Sequence, residues 1–171
     1  MDVDAQSARA AAVDPAKLSD VELASLVVDA RRVVDATDAC WIRLLAEFDR
    51  RELWRADGAR SAAAWLRREC RLVHPTTTSA LLVARAMRVL PVTAEAFRAG
   101  DISFEHMRAI APVATPEREE MVGRVDPVFA RAALWMNPRQ MSNVVRTWIG
   151  LADACESEPR PGSGPKRAPA G

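Results

Sequence analysis

The sequence predicts an all-α fold, a single multi-helix domain of seven or eight helices with a long N-terminal helix and helix-turn-helix-like pairs. Three observations lead there. Ala, Leu and Arg are abundant, whereas there are only seven Gly and no Tyr in 171 residues, a composition that loses little freedom in helices. Apolar residues recur at spacings of three and four. Segment after segment opens on a capping residue or a proline, the punctuation of helix ends. A chain this long can bury one sizeable core.

Residues 1–18 are acidic and lack an apolar core segment, so they read as a flexible N-terminus and not as a secretory leader. Ser19 starts "SDVE", with Glu22 placed to complete a capping box. From there Leu23, Val27, Ala30, Val34, Thr37, Trp41, Leu44 and Phe48 alternate spacings of four and three, a heptad seam that Leu26, Val33 and Leu45 widen. A wide stripe suits packing across its own domain, and a narrow seam suits pairing with another helix. Small Ala30 and polar Thr37 favour the first reading, with Leu23, Val27, Val34, Trp41, Leu44 and Phe48 as the interaction seam of the second.

Asp57-Gly58 is expected to stop this helix and Ser61 to cap the next, which carries Trp65, Leu66, Cys70 and Val73 on one face and Arg60, Arg67, Arg68 and Arg71 on the other. After "VHPTTTS" a helix from about Thr76 to Leu90 should turn Ala80, Val83, Met87 and Leu90 inward and Thr78, Leu81, Arg85 and Arg88 outward. Pro91 ends it. Gly100 C-caps "PVTAEAFRAG", and Ser103 caps a helix that Pro112 ends. "PEREEMVGRV", "DPVFARAALWM" and "NPRQMSNVVRTWIGLADACE" each look like a helix beginning at a turn residue plus Pro. The helical domain thus spans 19–155. Residues 156–171, rich in Pro, Gly and charge, read as a disordered tail or truncated linker.

The chain is close to neutral, with 24 basic and 23 acidic residues, but the charge is uneven. Met1 to Ile42 holds 4 basic and 8 acidic residues, net −4; Arg43 to Arg88 holds 10 and 5, net +5; Val89 to Glu158 holds 7 and 10, net −3. The last thirteen residues hold 3 basic and none acidic, so within the helical domain the middle segment is the electropositive zone, although 22 Arg against 2 Lys is also what a GC-rich genome writes into any soluble protein. Arg60, Arg67, Arg68, Arg71, Thr78, Arg85 and Arg88 are therefore the DNA-binding candidates, arginines for phosphates or guanine edges and threonine for register.

Catalysis has no local support. His74 and His106 are the only histidines, so Cys70 and His74 supply two ligands where a metal site needs about three. No nucleotide fingerprint occurs, and no catalytic residue, metal or cofactor is expected. Three widely spaced cysteines, Cys40, Cys70 and Cys155, argue against a disulfide framework and are read as small apolar residues. With no apolar run long enough for a membrane span, the expected location is the cytoplasm.

"GARSAAAWLRRECRL" (58–72) and "ALLVARAMRVLPVTAEAFRAGDISFEHMRAIAPV" (80–113) resemble the domain of unknown function 222, the 13E12 repeat family, found mainly in actinobacteria. The shared marks are Gly-x-x-Ser before Ala-Trp-Leu, Ala-Arg-Ala, then Leu-Pro, Ala-x-x-x-Gly and Ile-Ser, with "NPRQM" resembling the next helix start. The likeness extends over roughly residues 20–155. It implies a helical domain that commonly precedes an HNH endonuclease module, which this sequence lacks. DNA is the partner so implied; the alternative is a homo-oligomer or a protein partner on the long N-terminal helix. Within the matched stretch, Ala96 and Gly100 have the spacing of a helix-turn-helix, in which small residues let two helices cross closely. The apolar anchor six residues after the glycine falls on His106, expected at the helix surface, with Met107 one place late.

Overall fold

A computed structural model describes residues 11–157. After a 3₁₀ turn at Pro15–Lys17 come seven α-helices: α1 (Asp20–Arg50), α2 (Ala62–Glu69), α3 (His74–Ala86), α4 (Pro91–Ala99), α5 (Phe104–Ile110), α6 (Glu119–Ala133) and α7 (Pro138–Ser157). No strand occurs among the described residues. The rest of the two expected flexible ends, 1–10 and 158–171, lies outside them.

The caps are where the sequence placed them. Ser19 N–H donates to Glu22 Oε2 at 2.9 Å while Glu22 N–H reaches back to Ser19 Oγ, the reciprocal box that starts α1. Ser61 Oγ accepts from Ala64 N–H at 3.1 Å and starts α2. Asn137 and Gln140 exchange backbone-to-side-chain bonds of 2.9 and 3.0 Å ahead of α7, with Pro138 at the position that needs no donor.

Three boundaries differ from expectation. The long helix stops at Arg50, before Asp57-Gly58, because Glu52 takes a left-handed backbone (φ 52) and the chain folds into a 3₁₀ turn, Leu53–Arg55, that packs Trp54 on the core. The third helix starts at His74 and ends at Ala86, then unwinds through short turn bonds to Leu90. The two helices expected around Asp126 are one, since α6 continues through Pro127. Proline there removes a single donor, whose acceptor would have been the carbonyl of Gly123 four residues earlier.

Central α3 packs on α1, α2 and α5, and its Ala80, Val83, Ala84 and Ala86 are buried. Small residues on that face let three neighbours approach. Helix α4 lies on α6, and α5 on α7. The core joins all of them through Ile42, Leu66, Leu90, Phe97, Met107, Ile110, Val122 and Met141, each almost fully shielded from solvent.

Among the described residues Asp126 is the one buried acid, 1% exposed. Its carboxylate accepts from Val92 N–H at 2.7 Å, Thr93 N–H at 3.0 Å and Thr93 Oγ1 at 2.5 Å. These are first-turn amides of α4, which have no partner within their own helix, so a residue of α6 caps α4 from 33 and 34 positions away. Replacing Asp126 with Ala would strand the buried Thr93 amide, leave its hydroxyl only the Asp126 carbonyl at 3.4 Å and uncap the half-exposed Val92 amide, at a cost of roughly 2–4 kcal/mol. Urea unfolding should show it as a fall in midpoint, with Thr93→Val losing less than half as much; equal midpoints would remove the cap from the account.

Candidate nucleic-acid interface and docking face

The basic candidates of the central segment separate into paired and unpaired. Asp49, at the end of α1, holds Arg85 of α3 through bonds of 2.8 Å to Nε and 3.2 Å to Nη2. Arg68 is paired with Glu69, and its guanidinium also lies 3.4 Å from the Asp57 carbonyl. Arg60, Arg67, Arg71 and Arg88 are exposed and form no ion pair among the described residues. Thr78 is exposed, but its hydroxyl donates to the His74 carbonyl at 3.0 Å. Leu81, expected outward with them, is buried, because α2 lies against that side of α3.

Ser61, Ala63, Thr78, Leu81, Leu82 and Arg85 line one groove of about 370 Å³ between α2 and α3. The fold therefore brings Thr78 and Arg85 to the start of α2, just after Arg60. Arg67 and Arg71 lie at the other end of that helix.

The seam of α1 meets the core only at its C-terminal end, where Trp41 and Phe48 pack against it. Ala39, Ile42 and Leu45 are the buried residues of the helix, all in its second half. Val27 is 61% and Leu44 59% exposed, Leu23 and Val34 are exposed too, and Trp41 and Phe48 are half-buried. Packing within its own domain thus holds for the second half of the stripe, through Leu45, Trp41 and Phe48, and not for its first half, since Ile42 and its neighbours point about a quarter turn away from the seam. From Asp20 to Asp38 no residue is buried.

At its C-terminal end the seam opens on an apolar groove of about 430 Å³ lined by Trp41, Leu44, Phe48, Leu53, Trp65 and Cys70, among others. Phe48 and Trp65 stack with ring centres 4.4 Å apart, and Trp65 Nε1 donates to Asp57 Oδ2 at 2.7 Å. Sequence reasoning missed this groove because Leu53 reaches it only through the left-handed turn at Glu52. The three cysteines are exposed, Cys70 on this groove, and so are not the small core residues expected.

On the rim of the groove, hydrogen bonds from Arg50 and Arg51 hold the Glu47 carboxyl down at about 2. A depressed carboxyl stabilises the fold above its ordinary value of 4.5, and that contribution is lost as pH falls through about 2. Glu47→Gln should therefore flatten the fall of thermal midpoint between pH 4.5 and 2, most clearly at low salt; an unchanged slope would show that the clamp contributes nothing.

The Ala96–Gly100 corner is a helix end and not a close helix crossing. Gly100 has φ 80, its N–H bonds to the Phe97 carbonyl and Asp101 N–H to the Ala96 carbonyl, a Schellman closure. A side chain at Gly100 would meet nothing within 4 Å. The glycine is there for its backbone. His106 is half-buried and not solvated: Ser103 N–H donates to Nδ1 at 3.2 Å, which leaves Nε2–H to donate to the Met136 carbonyl at 2.9 Å. Met107 and Ile110 of α5 are buried, α5 packs on α7, and Arg108 is paired with Glu105. Gly100→Ala should cost about 1 kcal/mol through its positive φ alone, read by chemical unfolding; a much larger loss would restore the close-crossing account.

The family model for the domain of unknown function (DUF222) matches residues 22–160. The chain belongs to that family. The match begins in the first turn of α1 and takes in every later helix, so the exposed seam, the α1–α2 groove and the central arginines all lie inside the family's domain. No curated protein and no solved structure matches the chain. Among the described residues, no helix is long and apolar enough to cross a membrane, and no three potential ligand side chains are grouped to hold a metal.

Proposed function

We propose that this family member is a non-catalytic, DNA-associated helical domain that rests on the phosphate backbone through exposed arginines and would position a linked or partner nuclease. One observation carries the reading. Of the ten arginines from Arg43 to Arg88, Arg50, Arg51, Arg55, Arg68 and Arg85 are paired with Glu47, Glu52, Glu69 and Asp49, with Glu47 shared by Arg50 and Arg51. Arg43, Arg60, Arg67, Arg71 and Arg88 are exposed without an ion pair among the described residues, so the segment's positive charge is concentrated on them. Their likeness to a nuclease-linked domain in the sequence supports the same partner.

Fluorescence anisotropy of a labelled duplex across a salt series tests it. Four phosphate contacts should give a slope of log K against log salt of about −3.6, from −0.9 per phosphate. Replacing Arg60, Arg67, Arg71 and Arg88 together with Ala should abolish binding while the circular dichroism stays unchanged. No binding at low salt would overturn the proposal.

A second reading, a protein-docking module, is favoured by the uncovered apolar stripe of α1 and its groove. It predicts that Leu44→Glu changes the stability of the dilute chain by less than about 0.5 kcal/mol, as at a surface site, whereas Leu66→Ala costs about 2–5 kcal/mol. If Leu44→Glu costs as much as the core truncation, the stripe belongs to the fold and the docking reading fails.

A further inference from the structure

We infer that α1 pairs antiparallel with α1 of a second copy of this chain, in the register that sets Ala30 against the partner's Trp41. The inference rests on the docking reading and identifies its partner.

The first reason is that the helix needs cover. α1 has 31 residues, about 46 Å at 1.5 Å per residue, and its first half has no buried side chain while showing Val21, Leu23, Val27, Val28 and Val34 to solvent. In proteins a helix draws most of its stability from packing an apolar face and not from propensity. Residues 1–10 offer only Met1 and Val3 as large apolar groups, and 158–171 offer none.

The second reason is fit. The alternation of four and three is symmetric about a point between Val34 and Thr37, so an antiparallel partner pairs Leu23 with Phe48, Val27 with Leu44, Ala30 with Trp41 and Val34 with Thr37, and then the same four in reverse. Small Ala30 makes room for the partner's indole. A parallel pair would instead set two alanines together, leaving a void, and force two tryptophans into one layer. Ala30 and Thr37, which weaken a parallel seam, are the complement an antiparallel one requires.

The third reason is charge. The same register places Arg31 opposite the partner's Asp38, twice by symmetry. Asp38 is half-buried, forms no ion pair of its own among the described residues, and neighbours Asp35 and Glu105 as well as Arg31. Burial pushes its carboxyl up. A second arginine would relieve that acidic neighbourhood. On the other flank uncharged Val33 falls beside the partner's Cys40, and Leu26 beside the partner's Glu47, which Arg50 and Arg51 hold.

Finally, the register gives the groove an occupant. It brings the partner's Leu23 and Val27 to Phe48 and Leu44, at the mouth of the 430 Å³ groove lined by Trp65 and Leu53.

Sedimentation velocity of the full chain from micromolar to several hundred micromolar should show a monomer–dimer equilibrium. Arg31→Asp and Asp38→Arg should each weaken self-association at least tenfold, with helicity retained. Mixing the two variants should restore a dimer, because each pairs its like charges with the opposite ones of the other. In a Cys70→Ser, Cys155→Ser background, Val33→Cys should form a disulfide with the partner's Cys40 on mild oxidation. Within one helix these positions are seven residues apart, about 10 Å, too far to bridge. A chain that stays monomeric throughout overturns the second-copy inference and leaves the docking reading to the Leu44→Glu test. A dimer that forms no such disulfide and ignores both charge reversals overturns the register.

Discussion

The carboxylate of Asp126 adds a polar tie to the apolar contact between α4 and α6. An α4 that begins at Pro91 leaves first-turn amides turned into the core, where water cannot reach them, and a buried donor without a partner is costly. Helix α6 answers with an acid whose own burial is tolerable only because three donors meet it. The two requirements are complementary, so the pairing of α4 with α6 is specified by hydrogen bonds and not by apolar contact alone. Once α4 is held, the Schellman turn at Gly100 aims α5, and His106 ties α5 to the approach of α7 through the Met136 carbonyl.

Against that closed half stands α1, whose two ends live in different environments. Its second half is anchored by Ala39, Ile42 and Leu45 and by the cross-helix pair between Asp49 and Arg85. Its first half is a helix by virtue of its capping box and local ion pairs such as Arg31 with Asp35, interactions worth a fraction of a kcal/mol to about one each. Val21, Val27, Val28 and Val34 on this segment are left exposed by the isolated fold. The same economy governs the arginines: acids within reach pair with half of the central group, and the remainder are exposed without an ion pair among the described residues.

Much of the fold was legible because helix ends are local. Ser19, Ser61 and Asn137 cap where their side chains predict, since a cap needs only residues two or three positions away. Gly100 was legible for the same reason, though the purpose first assigned to it, a close crossing, was not the one it serves. Asp126 was misread because Asp followed by Pro looks like a helix start, and nothing nearby reveals that its side chain is committed to α4. His106 was misread in the same way, its partner lying 30 residues on.

What the sequence determined by itself was the all-α class, the order of the helices, the length scale of α1 and the family, all of which follow from periodicity, caps and motif spacing within short windows. Only the tertiary structure decided which stripe of α1 enters the core, which arginines stay unpaired, and that α6 runs unbroken through Pro127. Each depends on groups far apart in the chain competing for the same partner or the same buried face. A local pattern states what a side chain can do; packing decides which of those things it does.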